Sequence, residues 1–221
     1  MNVLVVAPHM DDEVLGPGGT IRRHTLGGDK VHVCFLADRV YDHRKDEART
    51  ARDRECAHKA AGLLGVSGLT FLGLPDERLD CSVQDVLLSL ETCFRSVDPE
   101  WLYICHGGDL NQDHRAAFHA ALIAARPAAQ RRLTRVLCYE TPSSTDQAPP
   151  GTGLPFTPNV FVDIAAQLDN KIEALRCYGD EIRAFPHPRS EGGLRALAAA
   201  RGMQGNLPAA EAFMLLREIV R

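Results

Sequence analysis

The sequence predicts an α/β fold in which one mostly parallel sheet is covered by helices on both faces. Apolar runs alternate with stretches of helical periodicity, which is the order of elements found in such folds. The apolar runs are also nearly continuous, as expected for strands that are buried on both faces. A length of 221 residues with 45% hydrophobic residues fits a single domain that has a substantial core.

The elements are predicted in the following order. Buried strands are predicted at about residues 2–7, 31–37, 69–72, 101–106 and 134–139. Helices are predicted at about 17–28, 46–64, 82–96, after Asp113, and at 164–183, 190–201 and 208–219. Residues 141–158 are rich in Pro, Ser, Thr and Gly and have no period, so they are predicted to form a long substrate loop within one domain spanning residues 1–221.

Composition excludes several classes of function. A formal net charge of −4 gives no electrostatic case for a nucleic-acid or anionic-membrane partner. No apolar stretch approaches the ~20 residues of a membrane span, and Met1 runs into the first strand without the features of a secretory signal. Seven dispersed cysteines without a C-x-x-C pair argue against a thiolate zinc site and predict a reduced, cytoplasmic protein.

A cluster of charged side chains follows the first predicted strand directly. His9, Asp11, Asp12 and Glu13 place one imidazole and three carboxylates at the carboxyl end of a buried strand. In an open α/β sheet this end borders the ligand crevice. A divalent metal would neutralise this charge, so the cluster is a candidate metal site.

A second cluster supplies the missing ligand. His9 and Asp12 are only two ligands, whereas a catalytic zinc usually takes three together with water. His114 is the best third ligand, because it opens a helix just after the fourth predicted strand, which can neighbour the first. Asp11, beside the metal but not bound to it, can then act as the general base. Asp113 is predicted to hold an imidazole in place without binding the metal itself, and Glu13 to have a structural role.

Other interpretations of these residues stay open. A lone histidine at a strand end is commonly a satisfied polar residue, and adjacent aspartates commonly form a turn or a helix cap. A nucleotide-binding module without hydrolysis is a further alternative, although Gly16-x-Gly18-Gly19 is only a weak match to a phosphate-binding turn. The pairing of the two clusters favours the metal site.

Together these motifs resemble those of the LmbE-like, or PIG-L-like, zinc-dependent N-deacetylases. The family pattern Ala-His-Pro-Asp-Asp-Glu corresponds to residues 8–13, and His-x-Asp-His corresponds to Asn111-Gln112-Asp113-His114. The likeness continues through Leu74-Pro75-Asp76, residues 139–144 and His187-Pro188-Arg189-Ser190 to residues 210–213. It therefore covers essentially the whole chain.

The resemblance implies a Rossmann-like sheet, one Zn²⁺ and hydrolysis of an N-acetyl group, typically on an N-acetylglucosamine-like sugar. It assigns zinc binding to His9, Asp12 and His114 and general-base catalysis to Asp11. Arg52 and Asp76 correspond to positions where relatives contact the sugar. His187 corresponds to a C-terminal histidine that borders the site in some members.

Two positions depart from the family pattern. Met10 replaces a proline, which removes no ligand. Asn111 replaces a histidine credited with stabilising the tetrahedral oxyanion, and an amide can donate a hydrogen bond but carries no charge. Either Asn111 serves the oxyanion more weakly, or a cation such as His187 takes over this role and protonates the leaving amine.

The resemblance leaves the substrate open. A glycoconjugate, a sugar nucleotide and an antibiotic precursor would all present the same acetamido group. A larger amide, such as a thiol-sugar conjugate, is the main alternative substrate for a zinc amidase. Relatives include monomers and hexamers, so both a monomer and a homo-oligomer are compatible with the family.

Overall fold

The computed structural model describes residues 1–41, 43–151 and 153–220. Most of the strands form one seven-stranded sheet, and two short strands form a separate hairpin. The strands are β1 (Asn2–Ala7), β2 (Lys30–Asp38), β3 (Val40–Tyr41), β4 (Arg44–Lys45), β5 (Gly68–Pro75), β6 (Trp101–Cys105), β7 (Arg135–Tyr139), β8 (Val160–Asp163) and β9 (Ala210–Glu218). The α-helices are α1 (Asp12–Leu15), α2 (Gly18–Leu26), α3 (Glu47–Leu64), α4 (Val83–Val97), α5 (Gln112–Ala124), α6 (Leu168–Arg176) and α7 (Glu191–Gln204).

The strand order of the large sheet is β5-β2-β1-β6-β7-β9-β8. The five strands from β5 to β7 are mutually parallel, and β9 pairs antiparallel with both β7 and β8. The predicted α/β class with a mostly parallel sheet and covering helices is therefore confirmed. The order reverses at β1, since the chain moves outward to β2 and β5 and then returns to β6. The crevice outside the carboxyl ends of β1 and β6 is the position where such folds bind ligands.

The segment 208–219 was predicted to be a helix, and this prediction is wrong. Residues Ala210–Glu218 form β9, and their backbone groups pair with strands on both sides. Alanine, glutamate, methionine and leucine favour a helix, but sheet pairing and burial override this weak local preference. The edge strand β8 was not predicted at all.

The segment before α7 also differs from its prediction. The helix predicted at 164–183 is limited to α6, and a short 3₁₀ turn follows at Gly179–Glu181. Residues 141–151 and 153–158 contain neither helix nor strand, in agreement with the predicted loop. The role of this loop in substrate binding stays a prediction.

A buried ion pair ties β9 and α6 to the start of the chain. The Lys171 amine donates to the carbonyl oxygens of Leu15 (2.9 Å) and Gly16 (2.8 Å) and lies 2.6 Å from Oε1 of Glu211. The Glu211 carboxylate also accepts the backbone N–H groups of residues 19 and 20, at the amino end of α2. With all these groups paired, the buried charges fix the position of α1, which carries Asp12.

Among the described residues, no helix combines the length and the apolar character that crossing a bilayer requires.

Candidate metal centre

The two polar clusters meet because their strands are neighbours. β1 and β6 are adjacent and parallel, with Val5 opposite Tyr103, so the segments that follow them leave the same edge of the sheet. Asn111 caps α5 by accepting the N–H of Asp113 at 2.8 Å, and this cap starts the helix. His114 therefore lies in the first turn of α5, at the crevice.

His9, Asp12 and His114 bring one donor atom each to a common point. His9 Nδ1 lies 3.4 Å from Asp12 Oδ2 and 3.3 Å from His114 Nε2, and His114 Nε2 lies 3.2 Å from Asp12 Oδ2. Ligands at about 2.0–2.1 Å from a tetrahedral zinc are separated by roughly 3.3–3.4 Å. The triangle of donor atoms therefore matches three corners of such a site.

Electrostatics indicate the same site. The side chains of these three residues are between 1% and 8% exposed. Burial lowers the pKa of His114, but the charges of Asp12 and Asp109 outweigh it and raise the pKa to about 9. Burial acts to raise the pKa of Asp12, but His114 and His9 hold this pKa well below its ordinary value. Without a cation, the site takes up protons to balance its carboxylates.

In both imidazoles, the ring nitrogen that faces away from the triangle lies close to a carboxylate. His9 Nε2 lies 2.9 Å from Asp76 Oδ1 and 3.5 Å from Asp113 Oδ2, while Nδ1 faces the triangle. His114 Nδ1 lies 3.2 Å from Asp109 Oδ2. A carboxylate on the outer nitrogen of a ligating histidine fixes the ring and its tautomer. Each candidate histidine ligand therefore has a carboxylate within ion-pair distance of its outer nitrogen, although Nδ1 of His114 lacks a partner with hydrogen-bond geometry among the described residues.

Asp109 was missed by the sequence reasoning. It is 2% exposed and accepts hydrogen bonds from the hydroxyls of Ser144 and Thr145 and from the backbone N–H of Asn111. The sequence signal that could have identified Asp109 was its position in the segment that links β6 to His114. Asp109 and Asp113 both follow β6, and Asp109 is the natural partner for the second imidazole.

Asp11 lies beside the triangle in the chain, and its surroundings are different. It is 1% exposed, and its φ of 143° falls in a region unusual for a non-glycine residue. Oδ2 accepts hydrogen bonds from Arg39 at 3.2 Å and Arg189 at 2.9 Å. Oδ1 is buried and has no hydrogen-bond partner among the residues that the structure describes.

Glu13 holds the backbone of this turn. One carboxylate oxygen accepts the N–H of Asp11 at 3.1 Å, and the other accepts the Tyr178 hydroxyl at 2.7 Å. Burial, together with the charge of Asp11, raises the pKa of Glu13 to about 8, although the Tyr178 hydrogen bond opposes the shift. These contacts agree with the structural role expected for Glu13.

The remaining predicted site residues are more dispersed. Asn111 is exposed, and its Oδ1 is engaged in the cap of α5. His187 is half-buried and accepts the backbone N–H of Arg189 at Nδ1 (3.1 Å). The Arg52 side chain is 57% exposed and pairs with Asp180. Asp76 contacts His9 and accepts the backbone N–H groups of residues 40 and 77.

The sequence reasoning also missed Arg39, Glu181 and Arg189. The motif His187-Pro188-Arg189-Ser190 drew attention to its histidine, whereas the arginine is the residue that contacts Asp11. Arg39 follows β2 and had no motif to mark it. An isolated arginine in a sequence gives no sign of the carboxylate that it pairs with in the fold.

This arrangement suits metal-assisted chemistry on water. Three donor atoms leave a fourth corner of a tetrahedron for water or substrate. The buried carboxylate of Asp11 lies in the same turn, between His9 and Asp12 in the chain. Such a site can activate water and accept its proton, which hydrolysis of an amide and addition of water to a double bond both require.

Comparison with known proteins identifies one family that this chain matches. The family described as PIG-L, GlcNAc-PI de-N-acetylase, matches residues 4–125, more than half of the chain. The uncharacterised deacetylase YaiS of Escherichia coli K12 is 27% identical over 186 residues, which are 79% of this chain and 88% of YaiS.

Solved structures with the same fold include three of interest. The conserved protein TT1542 of Thermus thermophilus has a TM-score of 0.79 and 27% identity, covering 100% of this chain and 97% of its own. The N,N′-diacetylchitobiose deacetylase of Pyrococcus horikoshii has a TM-score of 0.78 and 23% identity, covering 97% and 83%. The 4-carboxy-2-hydroxymuconate hydratase GalB of Pseudomonas putida KT2440 has a TM-score of 0.76 and 25% identity, covering 100% and 98%.

Proposed function

This chain belongs to the PIG-L family of deacetylases, and we propose that it is a zinc-dependent hydrolase that removes the N-acetyl group from an N-acetylglucosamine-like amino sugar. The observation that carries the proposal is the triangle of His9 Nδ1, Asp12 Oδ2 and His114 Nε2, with sides of 3.2–3.4 Å. Two imidazoles and a carboxylate with an open fourth position are the ligands of a hydrolytic zinc rather than of a structural one.

The residues around the triangle divide the work of the reaction. His9, Asp12 and His114 would hold the metal, while Asp76, Asp109 and Asp113 orient the two imidazoles. Bound zinc lowers the pKa of water and polarises the substrate carbonyl. Asp11 accepts the proton of the attacking water, because it is a buried carboxylate with one oxygen free of hydrogen bonds within the described residues.

Two residues are candidates for the oxyanion and the leaving amine. The Asn111 amide nitrogen can still donate a hydrogen bond, although its oxygen is engaged in the helix cap. His187 accepts a backbone N–H at Nδ1, so the proton of its neutral ring lies on Nε2, which is then a donor. We assign the hydrogen bond to the oxyanion to His187, since its Nε2 is not required by the contact that holds its ring. A neutral imidazole does not protonate an amine, so Asp11 passes the proton taken from water to the leaving amine.

The substrate assignment depends on the relatives and on the surface around the site. The family description and the chitobiose deacetylase both name N-acetylated amino sugars. Arg52 is exposed on α3 and pairs with Asp180, and we propose that it contacts the sugar. The neighbouring Glu181 contacts Arg189, which in turn contacts Asp11. Asp76 touches His9 directly, so any contact of Asp76 with the sugar would come in addition to orienting this ligand.

A second candidate function is addition of water to a double bond. It is favoured by the likeness to GalB, whose identity to this chain is 25% over its whole length. The same base and metal would serve both reactions, because each begins by removing a proton from water. The two reactions differ in their products, and acetate release separates them.

The test is an assay of acetate release by the zinc-loaded protein. The panel contains N-acetylglucosamine, N,N′-diacetylchitobiose, a UDP-linked N-acetyl sugar and matched amides with longer acyl groups. We expect acetate from at least one N-acetyl sugar, and we expect Asp11→Asn to lower kcat by about 10²–10⁴-fold while keeping its zinc. No acetate from the zinc-loaded protein, together with hydration of 4-carboxy-2-hydroxymuconate, would establish the second candidate instead.

A further inference from the structure

We propose that Arg39, Glu181 and Arg189, here called the arginine clamp, are positioning residues that fix Oδ2 of Asp11 and leave Oδ1 as the atom that takes the proton from water. The inference rests on the proposed function, because it concerns the base of that reaction. Beyond that function, one specific oxygen of Asp11 takes the proton, and three further residues position this carboxylate.

The clamp is a closed set of charge-assisted contacts. Both guanidinium groups donate to the same oxygen of Asp11, at 3.2 Å from Arg39 and 2.9 Å from Arg189. Glu181 joins them, since it pairs with Arg39 and lies 3.0 Å from Arg189. The three clamp side chains are 15–19% exposed, whereas that of Asp11 is 1% exposed. The clamp therefore lies between Asp11 and solvent.

The two oxygens of Asp11 have opposite environments. Oδ2 receives two hydrogen bonds from cations, which are among the strongest that a carboxylate makes in proteins. Oδ1 is buried without a hydrogen-bond partner among the described residues, and this normally costs free energy. A buried, unpaired carboxylate oxygen is explained if water or substrate completes it during the reaction.

The clamp also restricts rotation of the carboxylate. Rotation of the carboxylate out of its plane would weaken both arginine contacts at once, while Glu13 holds the backbone N–H of the same residue. Positioning matters for such a base, since a displacement of about 1 Å can cost roughly 10²-fold in rate. The clamp thus keeps one defined oxygen available throughout turnover.

Three distant segments converge in this clamp. Arg39 follows β2, Glu181 ends the 3₁₀ turn after α6, and Arg189 precedes α7. Arg189 also donates through Nε to the Ser143 hydroxyl at 2.7 Å, which links the clamp to the predicted substrate loop. Movement of this loop would therefore be transmitted to Asp11 through a single guanidinium group.

The test compares Arg189→Ala with Arg176→Ala in the zinc-loaded protein. Arg176 is a matched control, because it also donates two hydrogen bonds to carboxylate oxygens, those of Glu191, on the same part of the chain but at an exposed site. We expect Arg189→Ala to lower kcat by about 10–10²-fold, with KM changed less than about threefold and zinc content unchanged. Arg176→Ala should match the wild type.

Chemical rescue separates positioning from general destabilisation. Low millimolar guanidinium chloride should restore part of the kcat of Arg189→Ala, whereas sodium chloride at equal concentration should not. Glu181→Gln, which retains both arginines, should cause a smaller loss and serves if Arg189→Ala fails to fold. Wild-type kcat in Arg189→Ala or in a folded Glu181→Gln protein, or a loss explained by missing zinc, would overturn the clamp.

The outcomes also separate the clamp from the proposed function. An inactive wild type with full zinc content contradicts the deacetylase assignment and, with it, the role of the clamp in that reaction. An active wild type with an unimpaired Arg189→Ala variant contradicts the clamp alone.

Discussion

The metal-ligand side and the Asp11 side of the site are supported by opposite charges. The imidazoles of His9 and His114 are backed by carboxylates, whereas the carboxylate of Asp11 is backed by guanidinium groups. The first arrangement makes nitrogen donors more basic, and the second fixes an acid in one orientation. Metal binding and proton transfer should therefore respond to different substitutions.

The two sides also differ in where they come from in the chain. The proposed metal ligands and their carboxylates lie within the segment 4–125 that the family matches, whereas Glu181 and Arg189 of the clamp lie outside it. The comparison predicts that substitutions of the candidate ligands and of their supporting carboxylates alter metal content. Substitutions of Asp11 and of the clamp should alter turnover at constant metal content.

The largest effect on this comparison is expected from His114→Ala. Loss of one of three ligands should remove zinc and reduce acetate release to background, since two ligands do not retain a catalytic zinc. Elemental analysis after gel filtration measures the metal. Asp11→Asn is the matched control, because it should keep zinc while losing turnover. Full zinc content in His114→Ala would place the metal elsewhere.

A smaller effect is expected from Asp109→Asn. The substitution removes the charge that faces His114 Nδ1, and changes of this kind typically weaken metal binding by about 10–100-fold. Competition with a chromogenic zinc chelator measures the affinity. Asp29→Asn is the control, since Asp29 also pairs with a histidine, with 2.7 Å between Asp29 Oδ2 and His24 Nδ1, but away from the candidate site. Equal affinities for the two variants would contradict the supporting role of Asp109.

The pH dependence of zinc binding provides a third test. In the metal-free protein the pKa of His114 is raised to about 9, so at neutral pH this ring carries a proton that zinc must displace. Affinity should therefore fall as pH decreases below about 9, by about tenfold per pH unit for each proton displaced. Calorimetry in buffers of different ionisation enthalpy counts the protons. Zinc binding at pH 7 without proton release would contradict the assignment of His114.

The smallest effect is expected from Asn111→Ala. Loss of the α5 cap should cost about 1 kcal/mol of unfolding free energy, similar to Asp46→Ala at the cap of α3. If capping α5 is the main role of Asn111, Asn111→Ala should change kcat less than about threefold. His187→Ala should lower kcat by more than Asn111→Ala does. A tenfold loss of kcat in Asn111→Ala with unchanged melting temperature would assign the oxyanion to Asn111.

The sequence was informative wherever function follows from position at a strand end. His9, Asp12 and His114 could be paired because parallel neighbouring strands deliver their ends to one edge, and the structure brings their donor atoms together. Asp109 was marked only by its position between β6 and His114. Arg39 and Arg189 could not be identified in this way, because the Asp11 carboxylate that they contact lies on another segment and nothing local marks them. β9 was missed for a related reason, since its pairing with β7 and β8 depends on distant strands rather than on its own composition.

The Lys171–Glu211 pair has a consequence for the order in which the protein is completed during synthesis. His9, Asp12 and His114 leave the ribosome before either member of this pair. The carbonyl groups of Leu15 and Gly16, at the end of α1, bind the Lys171 amine, which is added more than fifty residues after His114. The carboxylate that neutralises this amine arrives forty residues later still, on β9. A nascent chain therefore carries all three proposed metal ligands before it has the contacts that hold α1. The part of the site that is made first is among the last to be fixed in place.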